Sequence, residues 1–389
     1  MRKKTRLILF DLIPTIIKTC IAKIMIFFGA GKKFKDTWLI AERGNDARDN
    51  GYFFMSYLVQ QHPEVNAYYI IKQSSEDYYK VAKFNNIRYG SVKHYIALFR
   101  AHYLISTHIL GYTPNATAFS LLEKYGIVRM PSGKRIFLQH GITSADIDGL
   151  KYPFTKVDLF ICGAREEYEY VLRNYNYPKG VVKLTGLARY DTLKNISGKK
   201  QILIMPTWRK WLNGLSGEEF IKSDYFLAYN DVLSNPEFLN FIKSEDYTVV
   251  FYLHYELQKF SNFFKSNDDR IIIAQKAHYD VQMLLRMSDI LITDYSSVYF
   301  DFAYMRKPIV YYQFDQKHFF ADHYQKGYFD EKRFGPVCLT SKDVVRALRL
   351  SGEMRSQYAQ EERLFFGDIF KTKSCCEEIY KNIISIDNK

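Results

Sequence analysis

Several familiar signatures are missing from this sequence, and each absence removes a class of protein. Five cysteines, Cys20, Cys162, Cys338, Cys375 and Cys376, make an odd set with no CxxC spacing, and no His/Cys cluster of zinc-site type accompanies them. Disulfide frameworks, structural zinc and dithiol redox motifs are therefore unsupported, and the thiols fit packing roles in a reduced, cytoplasmic protein. Neither GxGxxG nor a Walker A run occurs, which argues against the common dinucleotide fold and against a kinase-type phosphate loop. No compact Asp/Glu cluster marks a metal site, so no metal held by protein ligands and no cofactor is expected. Short internal repeats and low-complexity tracts are absent as well.

What is present points to a folded, basic, two-domain protein. At 389 residues the chain suits two domains of about 150–200 residues each. Aromatic residues reach 17 % while charged residues stay at 25 %, a balance that supports a sizeable core and excludes disorder over most of the length. The formal net charge of +13 favours a polyanionic partner, which can be nucleic acid, an anionic membrane surface or a phosphate-bearing substrate. A nucleic-acid binder would need basic residues interleaved with exposed aromatics along a groove. The expected partners are the other two, with no nucleic acid.

Part of the positive charge lies at the start. The apolar stretch Leu7 to Phe28 has nearly the length of a membrane span, but Asp11, Pro14, Lys18 and Lys23 interrupt it. On a helix, Asp11, Thr15, Lys18, Thr19, Ala22 and Lys23 form one polar stripe against a broad face of Leu, Ile, Phe and Met. A core helix needs no flanking basic clusters, and a spanning helix tolerates charge in its middle poorly. The pattern therefore predicts a helix lying in the membrane interface, with Arg2, Lys3, Lys4, Arg6, Lys32, Lys33 and Lys35 placed to meet anionic headgroups. No small-x-small cleavage site follows, which argues against a removable signal peptide.

Beyond Asp36 the pattern becomes short, continuously apolar runs separated by amphipathic stretches. Strands are predicted over 37–42, 67–72, 102–107, 135–139, 157–162 and 181–186, and in a second series over 201–206, 247–253, 270–274, 289–293 and 308–312. Unbroken apolar strands with helix-length connections imply parallel sheets covered on both faces, so the fold class is α/β with two doubly wound halves. The polar stretch 191–200 is the candidate linker. The expected division is an interface segment 1–36, an amino-terminal domain 37–195 and a carboxyl-terminal domain 196–389.

In such sheets ligands bind beyond the carboxyl ends of the strands. His140-Gly141 follows one predicted strand, Thr207-Trp208-Arg209 another, His254 a third and Asp294-Tyr295-Ser296-Ser297 a fourth. One histidine falls in each half, where the two could face each other across an interdomain cleft and do acid-base or phosphate-stabilising work near neutral pH. Arg209 suits a phosphate through a charge-assisted fork, or a surface ion pair. His278 opens an amphipathic helix, where capping competes with ligand contact. Ser296 or Ser297 would sit near the N-cap of the next helix. One cap needs one hydroxyl, so a second hydroxyl beside free amides suits a pyrophosphate.

At these residues the chain resembles the CDP-glycerol glycerophosphotransferase family, the teichoic-acid and capsule polymer enzymes of bacteria, which are GT-B-like with two Rossmann-like domains. The matching stretches are LQHGIT (138–143), TGLARYD (185–191), ILIMPTWR (202–209), DILITDYSSVYFDFAYMRKPIVYY (289–312) and KGYFD with FGPV within 326–337. WLIAERGNDARDNGYFFMSYL (38–58) also looks like a membrane-associated branch. The resemblance implies His140 as general base for an acceptor hydroxyl and His254 as a second catalytic histidine assisting at the phosphates. It implies Thr207, Arg209, Ser296 and Ser297 as contacts to the CDP-glycerol donor, with His278, Thr293, Asp294 and Asp301 completing the donor side. Asp294 and Asp301 stay open between structure and polyol or ribose contact. Gly141, Arg189 and Asp191 would lie on the acceptor side. Two departures stand out: Tyr255 follows His254 where the family often has proline, and Ala188 replaces the proline of the usual Gly-x-Pro-Arg-x-Asp form. The implied reaction transfers glycerol phosphate to a lipid-linked glycan or polyol-phosphate acceptor at the cytoplasmic face of the membrane, releasing CMP. A CDP-ribitol-dependent transferase, a nucleotide-sugar GT-B glycosyltransferase and a membrane-associated scaffold with a defunct site are the alternatives.

Overall fold

A computed structural model describes residues 7–387 apart from 197, 199, 277, 323–326 and 329–333. The chain divides into two compact units, the first made of Met1–His140, Ile147–Asp191 and Lys371–Lys389, the second of Gly141–Asp146 and Thr192–Phe370. This differs from the expected division at both ends. Residues 1–36 belong with the first unit, and the last helix, Cys375–Ile384, returns to it.

The first unit is built on a seven-stranded parallel sheet. Its strands are β1 (Trp38–Ala41), β2 (Ala67–Ile71), β3 (Asn86–Arg88), β4 (Tyr103–Ser106), β5 (Lys134–Phe137), β6 (Leu159–Cys162) and β7 (Val182–Leu184), in the order β3-β2-β1-β4-β5-β6-β7. Every residue of β1, β4 and β6 is buried, as continuous apolar runs covered on both faces require. Strand order reverses between β1 and β4, and in the register Ala41 lies beside Ser106 and Ser106 beside Phe137. The second unit carries β8 (Gln201–Ile204), β9 (Thr248–Tyr252), β10 (Ile271–Ala274), β11 (Ile290–Thr293), β12 (Ile309–Tyr312) and β13 (Val337–Cys338), parallel throughout in the order β10-β9-β8-β11-β12-β13. Its reversal falls between β8 and β11, where Ile204 pairs with Ile292. The eleven predicted strands are all present. The two unforeseen ones, β3 and β13, are edge strands of three and two residues.

The amino-terminal helix is helical from Ile8, with a π-helical first turn, through Phe27. Its polar stripe faces the protein. Thr15, Thr19 and Ala22 are buried, Lys18 Nζ donates to the Gly90 carbonyl at 2.7 Å, and Asn115 Nδ2 donates to Asp11 Oδ1 at 2.7 Å. The broad apolar face is therefore turned out, with Phe10, Ile17, Ile24, Phe27 and Phe28 each more than half exposed. Arg2, Lys3, Lys4 and Arg6 lie outside the described residues, while Lys32, Lys33 and Lys35 are exposed. Among the described residues no helix is long and apolar enough to cross a membrane.

The last helix completes the core of the first unit. Cys376, Ile379 and Ile383 pack in one cluster with Trp38, Leu58, Tyr103 and Ile161, and the Tyr380 ring stacks on Trp38 with centroids 5.7 Å apart. Its amino end is held by Asp191, whose carboxylate accepts from Ser374 Oγ at 2.7 Å, Cys375 N at 2.6 Å and Cys376 N at 3.0 Å. All five cysteines are free, and all but Cys20 are buried.

Candidate active site

His140 leaves the end of β5 through an unusual backbone. Gln139 has φ of 58°, a left-handed conformation that costs a non-glycine residue about 1–2 kcal/mol. Its buried side chain holds it there, with Nε2 donating to the Ile161 carbonyl at 2.6 Å and to Glu167 Oε1 at 3.1 Å. The Gln139 carbonyl accepts from Asn50 Nδ2 at 2.7 Å, and Asn50 Oδ1 accepts from Arg189 N at 3.0 Å. Arg189 Nη1 then donates both to the His140 carbonyl and to Asp49 Oδ1, each at 2.8 Å. Arg189 and Asn50 are buried, so this frame fixes the main chain and leaves the imidazole outside it.

The His140 ring stacks on that of His108, with centroids 4.7 Å apart and planes 11° from parallel. Thr107 serves both rings. Its carbonyl accepts from His140, and its hydroxyl is 2.9 Å from His108 Nδ1. Surrounding protein, with the charges of Arg189 and Arg43, pushes the His140 imidazole down to about 4. Burial, His140 and Arg43 push His108 down to about 3. His140 is nevertheless solvent-exposed. Water reaches the ring, so the direction of the shift carries the chemistry. His140 is neutral at neutral pH, one nitrogen is tied to Thr107, and the other is left as a base.

In the second unit the corresponding frame is Arg209 with two carboxylates. Expected to reach a donor phosphate, the guanidinium is instead fully buried. Arg209 Nη2 donates to Asp294 Oδ2 at 2.8 Å, and Nε donates to Asp315 Oδ2 at 2.6 Å. Its carbon lies 4.9 Å from the Phe319 ring centroid and 5.1 Å from that of Tyr295. Burial alone would lower its pKa, but Asp294 and Asp315 hold it well above the ordinary value. The phosphate fork is thus corrected to a framework role, because its charge is already neutralised out of reach of solvent.

That framework clamps the residues beside it. The Thr207 carbonyl accepts from Arg209 Nη1 at 2.7 Å, and Thr207 N donates to Asp294 Oδ1 at 2.8 Å. Asp294 Oδ1 also accepts from Tyr295 N at 2.6 Å, setting the start of the serine pair. Asp294 is therefore structural. So is Thr293, which is buried and donates through its hydroxyl to the Met205 carbonyl at 2.7 Å, and Asp301 is buried in the helix Val298–Tyr304. What remains unpartnered among the described residues is a set of hydroxyls. Thr207 Oγ1 is enclosed without a partner, and neither Ser296 nor Ser297 has a side-chain partner among the described residues. Ser297 occupies the N-cap of that helix with no side-chain cap bond, so the expected division of one capping and one free hydroxyl becomes two free ones.

The other expected residues separate in the same way. His254 follows β9, with its ring stacked 6.2 Å from that of Trp208, and its Nδ1 accepts from Glu256 N at 3.4 Å. His278 is exposed, and the helix after it is capped by Asp280. Gly141 is buried and begins the short segment assigned to the second unit. Asp191, expected on the acceptor side, anchors the amino end of the last helix, whose N-cap is Ser374. The residues 326, 329 and 330 of the KGYFD stretch lie outside the described residues. Sequence reasoning missed His108, Asn50, Asp49 and Gln139. The strand-end rule that picked out His140 applies equally to His108, two residues beyond β4.

Comparison with known proteins agrees with this architecture. The family model described as CDP-Glycerol:Poly(glycerophosphate) glycerophosphotransferase matches residues 22–384. The minor teichoic acid biosynthesis protein GgaB of Bacillus subtilis (strain 168) is 34 % identical over 373 residues, covering 91 % of this chain and 40 % of that protein. A teichoic acid poly(glycerol phosphate) polymerase of Bacillus spizizenii is 32 % identical over 168 residues, covering 43 % of this chain and 39 % of the polymerase. The chain thus spans about two fifths of the length of these relatives. A structure of the wall teichoic acid polymerase TagF superposes with a TM-score of 0.68 at 18 % identity, covering 96 % of this chain and 94 % of that one, a likeness of fold.

Proposed function

This chain belongs to the CDP-glycerol:poly(glycerophosphate) glycerophosphotransferase family, and from that premise we propose that it transfers glycerol phosphate from CDP-glycerol to a hydroxyl of a teichoic-acid-type, lipid-linked acceptor. The acceptor oxygen attacks the phosphorus bearing glycerol as its proton passes to the free nitrogen of His140. The bond from that phosphorus to the bridging oxygen breaks, and CMP leaves with the bridging oxygen. Thr207, Ser296 and Ser297 donate hydrogen bonds to the donor's pyrophosphate from a main chain held by Arg209 and Asp294, and His254 assists at the same phosphates. Phosphoryl transfer asks mainly for positioning and electrostatic stabilisation, which two rigid strand-end frames supply.

The observation that carries this reading is His140, an exposed imidazole kept neutral and oriented by Thr107 in a chain of this family. The outward apolar face of the amino-terminal helix, flanked by Lys32, Lys33 and Lys35, supports attachment to an anionic membrane surface that presents the acceptor. The test is nucleotide release from CDP-glycerol, CDP-ribitol and UDP-sugars with lipid-linked acceptor, beside flotation with phosphatidylglycerol vesicles. CMP from CDP-glycerol alone is expected. Release of UDP overturns the donor assignment, and a protein that ignores anionic vesicles overturns the attachment.

A further inference from the structure

Two histidines enclosed in the first unit use their ring nitrogens differently. His94 is fully buried, with Nδ1 accepting from Gly90 N at 3.1 Å and Nε2 lying 2.9 Å from the Tyr112 carbonyl. Both nitrogens are satisfied, as a histidine kept for packing requires. His108 is half-buried, its Nδ1 lies 2.9 Å from the Thr107 hydroxyl, and its Nε2 is enclosed with no partner among the described residues. Leaving a polar atom bare inside protein is costly. The His108 ring bears that cost while laying its face on the imidazole of His140, 4.7 Å away and 11° from parallel.

The turn that carries His108 is held from several sides. His108 N donates to Ser106 Oγ at 3.2 Å, Ser106 Oγ donates to the Glu42 carbonyl at 3.3 Å, and Gly111 N donates to the His108 carbonyl at 2.9 Å. The turn closes through Leu110, left-handed at φ of 61°, and a Cβ on Gly111 would collide with the Glu42 carbonyl and Ser106 Oγ. Thr107 is fully buried, so its hydroxyl has a fixed place from which it holds the His108 ring. The carbonyl of the same residue accepts from His140. That single hydrogen bond settles which nitrogen of His140 carries the proton, but it leaves the ring free to tilt about it. A second aromatic face laid against the ring removes the tilt. For a general base the direction of the free nitrogen matters, because a misplacement of about 1 Å can cost on the order of a hundredfold in rate.

We propose that His108 is a positioning residue for the base: its ring, anchored by the Thr107 hydroxyl and stacked on His140, holds the free nitrogen of His140 toward the hydroxyl it deprotonates. This rests on the reading of His140 above and adds the residue that fixes its direction. The charged and titratable groups facing His140 are Arg189, Arg43 and His108. Surrounding protein is the largest cause of the low pKa of His140, and the His108 ring is part of that cover. Removing the ring admits water and raises the His140 pKa from about 4 toward its ordinary value. His108→Ala, His108→Phe and His108→Asn are compared with wild type in the full chain, by steady-state kinetics with CDP-glycerol and lipid-linked acceptor across the neutral and acid range. The His140 ring protons are titrated by NMR in the same proteins without substrate. Phe keeps the face without the anchor, and Asn keeps a hydrogen-bonding group near Thr107 without the face. His108→Ala and His108→Asn are expected to lower kcat by about tenfold to a hundredfold with the KM for CDP-glycerol unchanged. Both are expected to move the acid limb of kcat/KM upward together with the His140 titration, and His108→Phe to recover most of both effects. Lower stability with an unmoved His140 titration and full kcat is the result of a purely structural role, and it overturns the proposal. Equal losses in His108→Phe and His108→Asn overturn it as well, as does a raised CDP-glycerol KM at unchanged kcat. If His108→Ala does not fold, the comparison of Phe with Asn carries the same test. The ring titration needs no turnover, so a protein that releases no CMP defeats the donor reading and still reports on the stack.

Discussion

Set side by side, the strand-end sites of the two units use one device for two purposes. Each buries an arginine behind the strands and pairs it with aspartate: Arg189 with Asp49, and Arg209 with Asp294 and Asp315. Each arginine also binds a main-chain carbonyl, of His140 in one unit and of Thr207 in the other. What the frames leave outside differs. The first presents stacked neutral imidazoles, groups that move protons, and the second presents hydroxyls, groups that donate to an anion without changing charge. The burial of the frames differs too. The side chain of Asp49 is 23 % exposed, whereas those of Arg209 and Asp294 have no exposed surface. The buried charges of these two frames thus serve architecture, and the groups they leave outside are uncharged at neutral pH.

Five substitutions sharpen or break this contrast. The largest effect is expected from His140→Ala, which removes the proposed base and should lower kcat by about 10²–10⁴-fold with the fold intact, as read by circular dichroism. The base works in its neutral form, and its pKa is pushed down to about 4. Wild-type kcat/KM should therefore stay level from pH 8 to about 6 and fall only as pH drops toward that value. An acid limb centred near 7, or unchanged turnover in the variant, would remove His140 from its role. Next comes Arg209→Ala, which leaves Asp294 and Asp315 unpaired in the interior and should cost the second unit about 3–5 kcal/mol in urea unfolding. A variant of undiminished stability with a raised KM for CDP-glycerol would restore Arg209 as a phosphate ligand.

Asp191→Ala should cost roughly 1–2 kcal/mol by leaving the first N–H groups of the last helix and Ser374 Oγ without their acceptor, with turnover retained. A selective rise in acceptor KM at full stability would return it to the acceptor side. The smallest effects are expected at the serine pair. Ser296→Ala and Ser297→Ala each delete one hydroxyl contact and should raise the CDP-glycerol KM by about 2- to 12-fold, equivalent to about 0.5–1.5 kcal/mol. Equal effects on donor and acceptor KM would contradict their assignment to the donor.

Most of the sheet architecture was legible because fully covered parallel strands must be apolar on both faces, so β1, β4, β8 and β11 stand out as unbroken runs. β3 and β13 escaped because an edge strand of two or three residues, such as Asn-Ile-Arg, carries no such run. The strand-end rule located the right neighbourhoods but not the roles of the charged residues. Arg209 reads the same whether it faces a phosphate or an aspartate 106 positions away, and Arg189 meets Asp49 from 140 positions away. Asp191 looked like a ligand for the same reason, since the helix it caps begins beyond residue 370. Periodicity found the two faces of the amino-terminal helix, but it could not say that Thr15, Thr19 and Ala22 face inward. Gln139 leaves no trace at all, because a left-handed glutamine is chosen by its tertiary hydrogen bonds and not by local propensity.

The helix Cys375–Ile384 has a consequence in time. Its Cys376, Ile379 and Ile383 fill the same core cluster as Trp38 and Tyr103, so the first unit lacks part of its interior until that helix has been made. At about 5–20 residues per second, translating from residue 192 through residue 384 takes on the order of ten to forty seconds. Throughout that interval the nascent first unit presents an unfilled apolar surface around Trp38 and Tyr103 while the whole second unit is being synthesised and can fold. The half that starts first on the ribosome is the half that closes last.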